Sequence, residues 1–226
     1  MSMSTLVIDC TDPICSFAIF QDNDLTDYLE WNCQSLSAEF LNQLNQFLEI
    51  QNQSIQKIDR FVVCNGPGGY TALRVGIASV KGIVGATNSM VQGVSKLAAN
   101  AYAVLDEKHY ENNEIISFHK IRENFYVWQA YNKSNILDNN NASQFNDFDE
   151  KIFNRFSSSN VFCGDIPSIL KEKIDNKTIS SQYIDDSKYK KNAKIIGKLG
   201  LKRNLFESPE KLNVLYPLPP LIHKKN

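Results

Sequence analysis

The sequence predicts an α/β fold of mixed sheets with flanking helices, built twice. Three observations carry this. Residues 61–86 read as strand, glycine turn and helix, residues 6–31 read as a three-stranded antiparallel meander, and residues 114–131 echo the hairpin that opens the chain. A short apolar, β-branched run between turn residues marks a buried strand, while apolar residues at i, i+4 and i+7 mark one face of a helix.

Taken in order, residues 6–9 form a strand, residues 10–13 a turn ending in Pro13, and residues 14–20 and 25–31 two further strands. Ser37 is placed to cap a helix in which Phe40, Leu41, Leu44, Phe47 and Leu48 are helix-spaced. Residues 61–64 are a buried strand. Residues 65–69, Asn-Gly-Pro-Gly-Gly, must turn tightly, since glycine tolerates positive φ and proline fixes its own. From Tyr70, the residues Leu73, Ile77, Val80 and Val84 line one helical face. A strand at 90–94 and a helix through Leu97, Ala98, Ala101 and Val104, capped by Ser95, follow. The echo begins at 114–118 and 125–131. Residues 132–150 form an Asn-rich loop with a short strand at 136–137, and 161–163 are a strand leading through Pro167 into a helix at Ile169 and Leu170. Residues 188–203 read as a helix around Ala193, Ile196 and Leu199, and 212–222 as an extended tail. This divides the chain into an N-terminal unit, 1–107, and a smaller C-terminal unit, 108–226.

Composition excludes several classes. With 226 residues, 42% hydrophobic and 22% charged, the chain is an ordinary globule able to bury a core. No apolar run approaches the ~20 residues of a membrane helix, and the first residues lack a basic leader. A cytoplasmic protein without a membrane partner is expected. The five cysteines (10, 15, 33, 64 and 163) include no CxxC pair and read as reduced core thiols rather than a metal site. Residues 1–60 hold nine acids against two bases, and 61–105 three bases and no acid. That polarity is too mild for autonomous nucleic-acid binding.

The helix at 70–86 carries Gly76, Gly82 and Gly85, each costing about 1 kcal/mol relative to alanine. Close approach of another backbone would offset this, so the helix is expected to be covered nearly all round and to serve as an interface. The contacts expected are Thr71, Ala72, Leu73, Arg74, Gly76, Ser79 and Val80. Strand, glycine turn and helix also describe an anion site, with Asp9, Thr11, Gly66, Gly68 and Gly69 as its contacts. The dinucleotide fingerprint fails at Thr71, the Gly-Lys-Ser/Thr ending is missing, and no Asp or Glu falls between 61 and 105. The structural turn is therefore the preferred reading. Asp9 and Asp12 read as turn residues before Pro13, the alternative being a metal–phosphate contact by Asp9. Histidines 109, 119 and 223 form no HxxxH pair, there is no GxSxG, and no cysteine neighbours a histidine. No catalytic residue and no metal are assigned. Lys190, Lys194, Lys198 and Lys202, with Lys188, Lys191 and Arg203, make a basic helical face. It reads as a solvated surface, with RNA phosphate contact by Lys190, Lys194 and Lys198 as the sharper alternative.

Residues 66–76, Gly-Pro-Gly-Gly-Tyr-Thr-Ala-Leu-Arg-Val-Gly, resemble the GPGSFTGLRIG signature of the bacterial TsaB (YeaZ) family. The departures are glycine for serine at 69, tyrosine for phenylalanine at 70 and alanine for glycine at 72. Residues 6–11 resemble that family's AIDTST opening, 118–126 its IDAR-type hairpin with His119 replacing the aspartate, and the Tyr216 tail its PxYLR ending with Pro217 replacing leucine. The resemblance implies a duplicated ribonuclease-H-like fold, as in actin-like ATPases and sugar kinases (ASKHA). It implies a non-catalytic subunit of the tRNA threonylcarbamoyladenosine machinery that pairs through helix 70–86 with the TsaD transferase. The TsaE ATPase and, through the complex, tRNA would be further partners, and the chain would be a homodimer when alone. No cofactor of its own is implied; ATP or ADP would sit at the boundary with the partner. Two alternatives stand beside this: an actin-like ATP-binding kinase or ATPase using Asp9 and the 65–69 loop, and a peptidase-like hydrolase.

Overall fold

The computed structural model describes residues 2–123, 125–138, 146–147, 156, 159–176, 181–184 and 191–217. Strands β1 (Ser4–Asp9), β2 (Ile14–Gln21) and β3 (Asp24–Asn32) form the meander. Helix α1 (Leu36–Ile50), strand β4 (Arg60–Gly66), helix α2 (Tyr70–Thr87), strand β5 (Met90–Ser95) and helix α3 (Lys96–Leu105) follow. Their sheet runs β3-β2-β1-β4-β5, antiparallel across the meander and parallel from β1 through β4 to β5.

The second sheet repeats this arrangement. Strands β6 (Glu114–Arg122), β7 (Phe125–Tyr131), β8 (Asn146–Asp147), β9 (Asn160–Gly164) and β10 (Gln182–Tyr183) lie in the order β8-β7-β6-β9-β10. Pairs β6/β7 and β7/β8 are antiparallel, β6/β9 and β9/β10 parallel. The strand order and senses match the first sheet position for position, so the hairpin echo reflects a duplicated α/β architecture. Helix α4 (Ser168–Asp175) follows β9, and helix α5 (Ala193–Arg203) packs back onto the first sheet.

Both faces of the first sheet are covered, which is why its inner strands are apolar throughout rather than alternating. Leu6 and Ile8 face a core with Phe40, Phe47 and Val80, while Val7 between them joins Phe20, Val62, Leu97 and Ile196 on the other side. The two cores follow from the two-residue period of β1. Helix α5 comes close because it carries glycines: a Cβ at Gly200 would lie 2.6 Å from Val62 Cγ1.

Three local expectations need correction. Ser35, not Ser37, precedes the first helix, and Glu39 accepts the N–H groups of Gln34 (2.9 Å) and Ser35 (2.6 Å). Residues 136–137 form no strand. The Asn132 side chain instead captures the Ser134 and Asn135 N–H groups and folds the segment into a turn that buries Ile136. Within 188–203 the helix begins only at Ala193, where the Asn192 side chain caps the N–H groups of Lys194 and Ile195. Residues 188–190 lie outside the described residues, as do 218–222 of the predicted tail. Within this chain helix α2 packs on β4 and α1, and its outer face is described below.

Candidate functional site

The loop after β1 is organised by charge. The parallel β1/β4 pair ends with Asp9 in the interior, where an unpaired carboxylate would be costly. Thr11 Oγ1 and Thr11 N–H donate to Asp9 Oδ1 at 2.8 and 3.2 Å, and Lys191 Nζ donates to Asp9 Oδ2 at 2.5 Å. The same ammonium reaches Asp12 Oδ2 at 3.0 Å, and Lys96 Nζ reaches Asp12 Oδ1 at 2.6 Å. Two carboxylates and two ammonium groups thus close a buried network. The Thr11 N–H bond to the Asp9 side chain is the turn expected there; the network adds buried partners to it and corrects the surface reading of Lys191. A metal–phosphate at Asp9 would have to displace the Lys191 ammonium.

Burial pushes the Asp12 carboxyl up, but the ammonium groups of Lys191 and Lys96 outweigh it and hold the carboxyl well below its usual range. Burial works against the charged form of Lys191 too, and Asp9 and Asp12 again prevail, holding its ammonium above the ordinary lysine value. The signs give the pH window. Asp12 contributes stability that is complete above its unfolded value, ~4, and drains as pH falls toward its folded one; Lys191 contributes below ~10.4 and loses its part only above that. Urea unfolding midpoints should therefore be flat across neutral pH and fall below about pH 4. In Asp12→Asn the acid-side loss should shrink; an unchanged acid limb would refute the assignment.

The glycine turn is filled by its own chain. A Cβ at Gly68 would lie 2.7 Å from the Thr11 carbonyl oxygen, and one at Gly66, where φ is +116°, 2.8 Å from that of Leu215. The C-terminal segment clamps the turn from outside, the Leu215 N–H donating to Asn65 O at 2.8 Å and Asn65 Nδ2 to Asn213 O at 2.9 Å. Gly69 precedes α2 with no side-chain cap, and its N–H reaches Thr11 O at 3.5 Å. The groups gathered for anion contact meet one another here.

Helix α2 sorts the expected interface residues into two sets. Leu73 and Val80 lie in the chain's own core, so these two are corrected from surface to interior; the Gly76 backbone is buried beside them, but a Cβ built on it meets nothing within 4 Å among the described residues, the helix's own backbone aside. With Ile77, Leu73 and Val80 make the i, i+4, i+7 stripe that the helix needs to hold the sheet. Thr71 is exposed, Ala72 and Ser79 half-buried, and Arg74 is turned to the tail: its Nε donates to the Tyr216 hydroxyl at 3.0 Å and its guanidinium lies 4.1 Å over the Tyr70 ring. Lys81 Nζ donates to the Glu210 carbonyl at 3.4 Å. The outward face runs through Thr71, Val75, Ala78, Gly82 and Ala86, small and without charge. Apart from the helix's own backbone, no atom of the described residues lies within 4 Å of a Cβ built at Gly82 or Gly85. Val75, Ala78 and Gly82 were missed, although their 3.6-residue period, opposite the core stripe, would have found them.

Between the β1–β2 loop, the start of α1 and this face of α2 opens a cavity of about 440 Å³, lined by Cys10, Cys15, Cys33, Ser35, Ala72 and Val75 among others. Elsewhere, Lys194 lies 3.9 Å over the Tyr28 ring and Lys198 is 3.5 Å from Asp106, while Lys190 is outside the described residues. Arg203 is buried, donating to Ile136 O from Nε at 3.0 Å and from Nη2 at 2.6 Å. The expected basic face thus loses Lys191 and Arg203 to the interior. His119 is buried, its Nδ1 2.8 Å from Asp165 Oδ2. No helix among the described residues is long and apolar enough to cross a membrane.

Comparison with known proteins completes the site. A family model described as "TsaD: tRNA N6-adenosine threonylcarbamoyltransferase" matches residues 34–149, about half of the chain. The tRNA threonylcarbamoyladenosine biosynthesis protein TsaB of Haemophilus influenzae is 23% identical over 111 residues, 49% of this chain and 47% of that protein. The aligned region thus spans about half the length of this curated relative. Two solved structures from Pseudomonas aeruginosa are similar over almost the whole chain. One is a protein with similarity to peptidase YeaZ, with TM-score 0.71 and 15% identity over 96% of this chain and 100% of that one. The other is YeaZ, with TM-score 0.69 and 15% identity over 95% and 99%. At such identity the likeness is one of fold.

Proposed function

We propose a function from the premise that the chain belongs to the TsaD family (tRNA N6-adenosine threonylcarbamoyltransferase), on its TsaB (YeaZ) side. It is a supporting, non-catalytic subunit of the machinery that makes threonylcarbamoyladenosine in tRNA. Its task is to pair with the TsaD transferase and hold that partner in its active form. TsaE and tRNA join through the complex, and a nucleotide, ATP or ADP, lodges at the boundary between subunits rather than inside this chain. Alone, the chain pairs with itself, because a self-complementary patch gives a two-fold interface.

The observation that carries this reading is the outward face of α2. A helix that keeps two glycines facing open space gives up about 1 kcal/mol for each. In the isolated chain nothing repays that. A partner backbone lying against Gly82 and Gly85 would, because small residues admit close approach. Arg74 and Lys81 are drawn aside to the C-terminal segment, which leaves the face neutral and places both cations at its rim. An interface core depleted of charge and ringed by polar groups is the usual anatomy.

The ATPase reading needs Asp9 free for a cation, and Asp9 is held by Lys191 and Thr11. Contact of Lys194 and Lys198 with tRNA phosphate remains a subsidiary part of the proposal. Size-exclusion chromatography with light scattering, on this chain alone and mixed with TsaD from the same source, tests it. A heterodimer that forms at the expense of the homodimer is the expected result. A chain that stays indifferent to TsaD, and binds ATP–Mg tightly in calorimetry, would move the ATPase reading to the front.

A further inference from the structure

Three of the five thiols meet in one place. Cys10, Cys15 and Cys33 all line the 440 Å³ cavity beside α2, and none is in a disulfide. The sheet brings them together. Asp9 pairs with Ser16 across β1 and β2, so the next positions, Cys10 and Cys15, face one another at the end of the hairpin. Cys15 pairs with Trp31 across β2 and β3, and the Cys33 N–H donates to Pro13 O at 2.8 Å, which sets Cys33 diagonally beside Cys15 on the same face of the sheet. The Cys15 thiol donates to Asp12 O at 3.7 Å. Cys64 and Cys163 are buried away from this cavity.

We propose that Cys15 and Cys33 form an oxidisable dithiol, in which Cys15 reacts with a hydroperoxide entering the cavity and Cys33 closes the disulfide. The geometry assigns the roles. Cys15 is central, opposite Cys10 across the hairpin and diagonal to Cys33, with all three on one cavity. Cys33 is half-exposed and lies just past the end of β3, where the backbone can give the small shift that a diagonal pair needs to bridge. Cys10 adjoins the locked Asp9 network and has no such freedom.

The thiol chemistry agrees with that division. The neighbouring Cys10 thiol holds the Cys15 thiol below its ordinary value, against burial and with help from Cys33. Burial and the neighbouring Cys15 push the Cys33 thiol up to about 12. The thiolate is the nucleophile, so Cys15 attacks first. Its sulfur takes one peroxide oxygen, the O–O bond breaks, and the other oxygen leaves as water with the thiol proton. The Cys33 sulfur then attacks the Cys15 sulfenic acid; the S–S bond forms, the S–O bond breaks, and a second water leaves with the Cys33 proton. Two thiols lose two protons and two electrons, and one hydrogen peroxide becomes two waters.

The test treats the whole reduced chain with stoichiometric hydrogen peroxide, followed by thiol counting under denaturing conditions and peptide mapping by mass spectrometry. The expected product has lost two thiols, links the Cys15 and Cys33 peptides, regains both thiols with a dithiol reductant, and keeps Cys64 and Cys163 reduced. In Cys33→Ser a sulfenic acid should persist on Cys15 and be trapped by dimedone. Cys15→Ala should consume peroxide at least about tenfold more slowly. Circular dichroism establishes that each variant is folded, and a Cys33→Ala chain that still yields dimedone adduct at Cys15 guards against an effect of the serine. Five surviving thiols, a Cys10–Cys15 link, a Cys33–Cys33 link between chains, or dimedone on Cys33 instead of Cys15 would each overturn the proposal.

Discussion

Replacing Lys191 with methionine is expected to cost the protein about 3–5 kcal/mol, the loss typical when one partner of a buried ion pair is removed. Methionine fills a similar volume, so the loss would report charge rather than packing. It would leave the Asp9 carboxylate buried with only Thr11 to answer it, and Asp12 with only Lys96. For a chain of this size each kcal/mol lowers the thermal midpoint by about 2–4 °C. The paired change tells the cause. In Lys191→Met with Asp9→Asn the buried negative charge goes as well, and a large part of the lost stability should return, because exchanging a whole buried pair for neutral groups is often close to neutral. Urea unfolding of the wild type, both single variants and the double variant makes the cycle. A Lys191→Met protein within about 1 kcal/mol of wild type would mean that water, not Lys191, balances Asp9. Additive single losses would mean the two groups do not interact.

The same residue shows where sequence reading stops. The fold was legible because its signals are local. Residues 61–64 are apolar and β-branched, Leu73, Ile77, Val80 and Val84 repeat at helical spacing, and the hairpin at 114–131 repeats the one at 6–20. Each signal fits within about twenty residues, and the matching strand orders of the two sheets bear out the duplication they imply. Lys191 lies 182 residues from Asp9, and nothing near either predicts the pairing. In the sequence Lys191 belongs to a run of lysines and looks like surface. Asn192 could have been recognised as a cap, which would have put Lys191 outside the helix and off its solvated face. Helix α2 failed differently. Its apolar stripe was read correctly as a helix face, but the same residues, Leu73 and Val80, were then assigned to an outside partner. One stripe cannot serve both. The sheet takes the larger residues, because burying them is worth roughly 1.5–3 kcal/mol apiece, and the partner's side is the opposite one, where the helix has only small residues to offer. The cysteines show a third limit. Their types and buried settings were legible, but their meeting depends on the register of two strand pairs.

An arginine at Gly82 is expected to abolish pairing while leaving the chain as stable as before or slightly more so. Gly82 is exposed, and among the described residues nothing lies within 4 Å of a Cβ built there, so a side chain starts from open space. Arginine is a far better helix former than glycine, a gain of up to about 1 kcal/mol. Against a partner backbone at close approach the same side chain is a steric wedge, and its charge must be stripped of water at the middle of a neutral face. Like charges brought together across a two-fold axis add to this in the self-paired form. A loss of at least 100-fold in affinity is the scale expected, about 2.7 kcal/mol. Gly76 is a less informative position. A Cβ built there meets nothing within 4 Å among the described residues, but its backbone is buried and it adjoins Leu73 and Ile77 around a small pocket, so leucine there reads pairing and local packing together. Arg74→Ala supplies the control at the rim. It removes a cation that already leans on Tyr70 and Tyr216, and should change affinity less than about tenfold. Sedimentation or light scattering over a concentration series, with thermal unfolding of the same samples, separates the outcomes. If Gly82→Arg pairs as tightly as wild type, the outward face at Gly82 is not the contact surface, whatever Gly76→Leu does. If Gly82→Arg is monomeric and unfolds no earlier than wild type, the small-residue face of α2 is the contact surface.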